Sequence, residues 1–558
     1  MPPSFLVRRI KARANATRTV SQAAKPALPI GATATPAPAP FEPSGIRAAN
    51  TAIAPALDVN EANFCWNGHY LTDEQQTALE LALTGESVKI EAGAGAGKTS
   101  TLAAISAAQS DKRGLYIAFN KAIANDAAAS FPSNVTCKTA HALAFQAMKQ
   151  HYGSNFSDRF NARLTSGRAV EVLNVDVKAF NTTHSLLGLV LLAWVSRFEQ
   201  SGDDAIAINH APWSDLKMMS GLEDDKAAYA KARELARNLE HYAKRLWDLM
   251  TDPQSSVPIS HDTYLKLWSL GKPSLSFYDF ILFDEAQDAS GVMLAVIQQQ
   301  TAQVIWVGDR RQQIYSWRGA VNAMDKIVTA HSCAVTRSFR YGQPIAAVAN
   351  AVLREFLDSD FRVNGSPFVD SRIGYCARPN AVLCRTNGTC IAELMRYLAA
   401  GLRPAIVGGV GSLIAEIQSA KALMRGETPA LPQFQVFDSW SDLVQHSQTW
   451  AGSDLSSLVR MLEKWDIKEL LDALSEAQYV SEKRADVVIS TVHRAKGREW
   501  DSVRLADDFA YPSREGMKKS PLAFSEEEAN LLYVAVTRAK ISLDILHCTA
   551  ALLALGES

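Results

Sequence analysis

The chain alternates short apolar runs with longer stretches of helical period. Val88 to Glu91, Gly114 to Ala118, Phe280 to Phe283, Val304 to Val307, Ala381 to Cys384 and Val487 to Ser490 are brief and rich in β-branched or aromatic residues. Polar or glycine-rich residues follow each run, which is how a strand buried on both faces reads. Amphipathic stretches separate the runs and predict parallel sheets with helices on both faces. Between about 150 and 272 the strand signal fades. Asp224 to Met250 there keeps a long helical period, with basic residues at 226, 231, 233, 237, 244 and 245, so a largely helical insert is expected. The longest apolar run, Leu186 to Val195, has about half the length a membrane span needs and predicts a buried helix. No membrane partner is expected.

The first sixty residues read differently. Residues 1–50 hold seven Lys/Arg against one acidic residue, Glu42, and Ala, Pro and Thr dominate from Ala23 to Pro43. Such a stretch cannot bury enough apolar surface to offset its chain entropy. Three readings stay open for 1–61: a disordered tail, an organelle presequence (Phe5 to Ala14 is Arg-rich and acid-free), or a DNA-tethering arm.

Composition narrows the classes. The 558 residues carry 57 basic and 58 acidic side chains, a formal charge of -1. A histone-like polycation is excluded, and any nucleic-acid contact must be local to a groove. Seven cysteines, none spaced as C-x-x-C, argue against a disulfide scaffold and a structural zinc site, and fit a reducing, cytosol-like compartment. Cys376, Cys384 and Cys390 come nearest to a cluster and are expected to sit separately in strands and turns. A cytoplasmic location is expected, nucleoid-associated in a bacterium, with organelle import through the basic tail as the alternative.

The strongest chemical signal is Ala92-Gly93-Ala94-Gly95-Ala96-Gly97-Lys98-Thr99-Ser100, placed between a predicted strand and a helix. Glycines let the backbone curl so that its N–H groups face phosphate oxygens. Lys98 supplies a charge to the β- and γ-phosphates, and the Thr99 hydroxyl can ligate Mg²⁺. Ala92 stands where the first glycine of such loops usually is. A second signal is Phe280-Ile-Leu-Phe-Asp284-Glu285-Ala286-Gln287-Asp288, an apolar strand running into two carboxylates. Asp284 would hold Mg²⁺, and Glu285 would orient and deprotonate an attacking water.

With these two segments, the chain from about 62 to 558 resembles the UvrD/Rep-type branch of superfamily 1 DNA helicases. Leu71 to Gln75 resembles the Q motif, Tyr116 to Lys121 motif Ia, and Thr139 to His141 motif Ib. Val307 to Ala320 resembles motif III, Ser338 to Arg340 motif IV, and Arg385 to Asn387 the block after it. Ser490 to Trp500 resembles motif V and Asn530 to Lys540 motif VI. Within that branch, Cys137 to His141, His261 to Trp268 and Leu532 to Lys540 are most similar to the helicase region of the F-box DNA helicases. Only the low-complexity tail precedes the Q motif, so an F-box role is not carried over. Arg310-Arg311 replaces the usual acidic pair of motif III, Arg498 and Trp500 replace the common Leu and Phe of motif V, and Phe339 stands where a Tyr often stacks on adenine.

The resemblance implies an α/β fold, two RecA-like parallel-sheet lobes with a helical 1B insertion and a small 2B insertion. The expected spans are 1–61 for the tail, 62–149 and 273–329 for lobe 1A, 150–272 for 1B, 330–410 and 483–558 for lobe 2A, and 411–482 for 2B. ATP and Mg²⁺ are the implied cofactors. Gln75, Gly97, Lys98, Thr99, Asp284, Glu285 and Gln312 of lobe 1A would face the nucleotide, as would Phe339, Arg340, Glu499 and Arg538 of lobe 2A. Arg340 and Arg538 would be arginine fingers. Phe119, Tyr315 and Trp317 would stack on bases, with Asn120, Thr139, His141, Arg318, Arg385, Asn387 and His493 touching backbone or bases.

The implied partners are single-stranded DNA and single-strand/duplex junctions, together with proteins of repair, recombination or replication. The implied activity is ATP-driven translocation and unwinding with 3′-to-5′ polarity. The alternative is a DNA-stimulated ATPase subunit or switch that works with a partner such as a nuclease.

Overall fold

The computed structural model describes residues 63–153, 156–161, 164–222, 225–315, 322–435, 437, 439–447, 453–513 and 520–556. The basic tail lies outside them, as do Trp317 and Arg318. The described residues form two compact units, one drawn from 63–337 with 428–435 and 437, the other from 338–427 with 439–556.

In the first unit, six strands make one parallel sheet. They are β1 Val88–Ala92, β2 Gly114–Ala118, β3 Val135–Thr139, β4 Phe280–Phe283, β5 Gln303–Gly308 and β6 His331–Val335, ordered β3-β2-β4-β5-β1-β6. The central strands are buried on both faces, and alternate residues feed two cores. Tyr116, Phe280, Leu282, Ile305 and Val307 belong to one core, with the apolar faces of α1 (Asp73–Leu83) and α2 (Lys98–Ala108). Leu115, Ile117, Ile281, Phe283 and Trp306 face the other.

That second core continues into the helical insert. It includes Leu187, Val190, Leu191 and Trp194 of α5 (His184–Gln200), along with Leu235, Leu239 and Trp247 of α6 (Asp225–Thr251). The apolar run at Leu186 to Val195 therefore forms a buried helix, and the basic residues of α6 lie on its exposed side. Local chemistry sets the helix starts. Asn120 caps α3 (Lys121–Ser130) by accepting the Ile123 N–H, and Thr139 caps α4 (Ala140–Tyr152) by accepting the Ala142 N–H. Ser260 caps α7 (His261–Leu270) in the same way.

The second unit repeats the plan with strands β7 Arg372–Ile373, β8 Ala381–Cys384, β9 Pro404–Ile406, β10 Val487–Thr491, β11 Trp500–Leu505 and β12 Ala539–Asp544, all parallel and ordered β9-β10-β8-β11-β12-β7. Between 411 and 482 the described α-helices are Gly411–Met424, Trp440–Ser447, Ser453–Lys464 and Ile467–Gln478. The last two of these helices pack on α8 (Asn387–Ala399) beside the sheet. The architecture is α/β with two RecA-like lobes. All described cysteines are free, and Cys384 and Cys390 are buried. Among the described residues no His/Cys/Asp/Glu group is arranged to hold a metal by three or more ligands. No described helix is long and apolar enough to cross a membrane.

Candidate nucleotide and nucleic-acid site

A parallel sheet delivers every strand's carboxyl end to one edge, and in open α/β sheets that edge is where ligands bind. In the first unit, Ala92, Ala118, Thr139, Phe283, Gly308 and Val335 all end strands there. The segments that follow them are the ones singled out from the sequence.

After β1 the chain turns through Gly95 and Gly97, at φ 76° and 75°, a region that favours glycine. The turn is pinned by Gly93 N–H to Val335 O at 2.9 Å and Ala96 N–H to Gly93 O at 3.1 Å. Helix α2 then starts on Gly97 without a side-chain cap. Its first N–H groups therefore face the loop, with the positive end of the helix dipole behind them.

Lys98 Nζ lies 3.7 Å from Glu285 Oε1. Thr99 Oγ1 donates to Asp284 Oδ2 at 3.2 Å, and the Tyr116 hydroxyl donates to the same oxygen at 2.7 Å. Asp284 Oδ1 accepts the Glu285 N–H at 2.8 Å. Burial, helped by the neighbouring Glu285, pushes the Asp284 carboxyl up to about 6 and outweighs the opposing pull of Lys98. Burial also pushes the Tyr116 phenol far above its ordinary value, so it stays a donor. Glu285 occupies φ 52°, ψ 44°, a left-handed conformation costly for a non-glycine residue and concentrated at functional sites.

Behind this pair, Gln287 is fully buried and bridges two segments. Its Nε2 donates to Glu285 Oε2 at 2.5 Å, and its Oε1 accepts the Asp309 N–H at 3.0 Å. Asp309, also fully buried, accepts Gln312 Nε2 at 2.8 Å and the Arg311 N–H at 3.1 Å. The two arginines that replace an acidic pair meet Glu91 on β1. Arg311 lies 2.8 Å and Arg310 3.3 Å from Glu91 Oε1.

Gln75, expected to read adenine, is buried. It sits in the capping box of α1, where its Oε1 accepts the Thr72 N–H at 3.1 Å and its Nε2 donates to Thr101 Oγ1 at 3.0 Å. The buried amide thus ties α1 to α2. Glu74 beside it accepts the Thr336 N–H and hydroxyl at 2.7 and 2.6 Å.

Among the described residues, Phe119, Asn120, Thr139, His141 and Tyr315, expected at DNA, end or follow strands on the same edge. The rings of Phe119 and Tyr315 stack with centroids 5.9 Å apart at 12°, and Phe119 is exposed. Asn120 and Thr139 serve as helix caps. His141 Nε2 lies 3.1 Å from Asp262 Oδ1, with the Tyr264 ring edge-on to the imidazole. A cavity of about 450 Å³ is lined by Asp284 and Glu285 and also by Phe119, Asn120, His141 and Tyr315.

In the second unit, motifs IV, V and VI converge. Arg340 Nε donates to Glu499 Oε2 at 2.7 Å, and its NH1 donates to Thr537 O at 3.0 Å. The Trp500 N–H donates to Arg538 O at 3.1 Å. Arg538 is buried, with Nε on Val534 O at 2.9 Å and NH2 on Thr537 Oγ1 at 3.2 Å. Phe339 is exposed beside Arg340. Arg385, expected at DNA, forms a two-pronged pair with Glu528 at 2.7–2.9 Å. Asn387 opens α8 behind the Thr386 cap, and His493 is half-buried just after β10.

Tyr116, Gln287, Asp309 and Glu91 hold the site together, yet sequence reasoning gave them no role. A tyrosine hydroxyl inside an otherwise apolar strand was the one available sign for Tyr116.

Comparison with known proteins agrees with this arrangement. The UvrD/REP helicase N-terminal domain matches residues 71–327, and the UvrD-like helicase C-terminal domain matches residues 435–550. The chain is 33% identical over 517 residues to the F-box DNA helicase 1 of Gallus gallus, covering 87% of this chain and 50% of that protein. It is 29% identical over 512 residues to the F-box DNA helicase protein 1 of Schizosaccharomyces pombe, covering 84% of this chain and 56% of that one. It spans about half the length of these relatives. With both halves of the helicase core matched in order and two RecA-like lobes to carry them, the chain belongs to the UvrD-like helicase family.

Proposed function

We propose that the protein is an ATP-dependent DNA helicase that translocates on single-stranded DNA and unwinds duplex ahead of it, with 3′-to-5′ polarity. The observation that carries the reading is the joint placement of Lys98, Thr99, Asp284 and Glu285 beside an uncapped helix start. Those groups fit a magnesium nucleotide. The loop and the first turn of α2 present N–H donors to phosphate, Lys98 brings a positive charge, and Thr99 and Asp284 put two oxygens 3.2 Å apart where a hard cation would sit. Bound Mg²⁺ would neutralise charge developing on the phosphates.

The residues of the chain do the rest. Glu285 takes the proton of the attacking water, and Gln287 keeps its carboxylate oriented. Gln312, anchored on Asp309, is the candidate to sense the terminal phosphate. Arg340 and Arg538 are the candidates to stabilise the transition-state charge. The Phe119–Tyr315 pair is the candidate platform for bases, and Trp317 and Arg318, outside the described residues, are proposed to extend it. DNA as the substrate, rather than RNA, is supported by the family and by what the two relatives are named for.

A strand-displacement assay with 3′-tailed, 5′-tailed and blunt duplexes of DNA and RNA tests the proposal. Unwinding of the 3′-tailed DNA alone is the expected result. ATP turnover with no displacement of any substrate would replace it with a DNA-stimulated ATPase.

A further inference from the structure

Strands β2 and β4 are neighbours, with Tyr116 registered opposite Leu282. Asp284 lies two residues beyond Leu282. The Tyr116 ring is fully buried in the apolar core that holds Phe280 and Leu282, 4.7 Å from the Phe131 ring. A phenylalanine would fill that space equally well, and a hydroxyl buried there is costly unless bonded. Its partner is Asp284 Oδ2, at 2.7 Å.

The Asp284 carboxylate thus has three donors on two oxygens: the Glu285 N–H on Oδ1, and the Tyr116 and Thr99 hydroxyls on Oδ2. Thr99 leaves this set if its hydroxyl turns to a metal ion. Glu285 N–H and the Tyr116 hydroxyl then remain, and only Tyr116 reaches the oxygen nearest Thr99.

We propose that Tyr116 is a positioning residue that holds the Asp284 carboxylate in place for the divalent cation of the nucleotide site. The role rests on the reading of Asp284 and Thr99 as cation ligands. Outer donors of this kind contribute strongly to metal sites, and their loss typically weakens metal affinity by about 10–100-fold.

The test is a Mg²⁺ titration of the full chain with a fluorescent ADP analogue, begun in EDTA, on the wild type and Tyr116→Phe. The expected result is unchanged affinity in EDTA, an unchanged melting temperature and a Mg²⁺ half-saturation raised about 10–100-fold. In an Asp284→Asn background, Tyr116→Phe should change the titration no further. Phe131→Leu loosens the same packing without touching the hydroxyl and should leave the half-saturation alone. An unshifted half-saturation in Tyr116→Phe, a fully additive loss on Asp284→Asn, or a Phe131→Leu variant that reproduces the shift would each overturn the proposal. A wild type that fails to bind the analogue at any Mg²⁺ level overturns the nucleotide-site reading itself, and the role of Tyr116 falls with it.

Discussion

Lys98 and Glu285 face each other across 3.7 Å, one from the start of a helix and the other from the end of a strand. In this arrangement the lysine charge is partly neutralised by the group proposed as the base. A phosphate arriving at the loop would compete for the lysine and release the carboxylate. Lys98→Ala should therefore abolish ATP turnover and weaken nucleotide binding. Glu285→Gln should keep binding and lose about 10²–10⁴-fold in turnover. Phosphate release and nucleotide affinity measured on both variants check this, and near-normal hydrolysis by Glu285→Gln would remove it from the catalytic role.

Arg340 and Arg538 meet at Thr537, which accepts Arg340 through its carbonyl and Arg538 through its hydroxyl. Charge-stabilising arginines act on the transition state more than on bound ATP. Arg340→Ala and Arg538→Ala should each lower turnover by about 10³–10⁵-fold while nucleotide affinity changes far less. Because Arg538 is buried and bonded to the Val534 carbonyl of the preceding helix, its variant needs a melting curve beside the kinetics. A loss of turnover that tracks a loss of folded protein would assign Arg538 to structure alone.

The stacked pair Phe119 and Tyr315 should carry DNA affinity. Each alanine variant should weaken single-stranded DNA binding by about 1–3 kcal/mol, with unwinding hurt more than ATP turnover at saturating DNA. Fluorescence anisotropy with a labelled oligonucleotide gives the affinity. Unchanged binding in the double variant would show that the two rings stack only on each other.

Glu199 lies at the end of α5, buried, and accepts Thr263 Oγ1 at 2.5 Å and Ser260 Oγ at 3.2 Å. Burial pushes its carboxyl up to about 8 from an ordinary 4.5, despite Lys266, whose ammonium burial draws down to about 8. Between those two values the folded chain keeps a proton that the unfolded chain has released. The stability this group contributes is therefore full below the unfolded value and drains as pH rises to about 8. Glu199→Gln keeps the hydrogen bonds and removes that slope, up to about 1.4 kcal/mol per pH unit. Melting curves from pH 5 to 8 should fall for the wild type relative to the variant. Parallel curves would mean that Glu199 titrates normally.

Strands with continuous apolar runs were legible in the sequence. Gly114–Ala118, Phe280–Phe283 and Ala381–Cys384 fall where the pattern put them. Strands that carry charge were not. Trp500–Leu505 and Ala539–Asp544 lie inside their sheet, but Arg504 is answered by Glu393 and Lys540 by Asp501, and such partners are invisible in a linear pattern. His331–Val335 and Val135–Thr139 are edge strands, half-covered and correspondingly polar.

The phosphate loop and the paired carboxylates were legible because their chemistry is local in sequence. Gln287 and Tyr116 were not, because what they do depends on which strands are neighbours. Gln75 shows the opposite limit. Its place in the Q motif implied a nucleotide contact, whereas its part in the capping box with Thr72 emerges only from the structure.

The helical insert and the sheet of the first unit share one continuous apolar core, in which Leu115, Ile117, Ile281 and Phe283 touch the same cluster as Trp194 and Leu239. Excising the insert would uncover much of one side of that sheet. The two parts should accordingly lose structure in a single cooperative step, with slow amide exchange in α5 and in β4 rising together as denaturant is added. An insert so rooted is a buttress for β4, the strand that leads into Asp284.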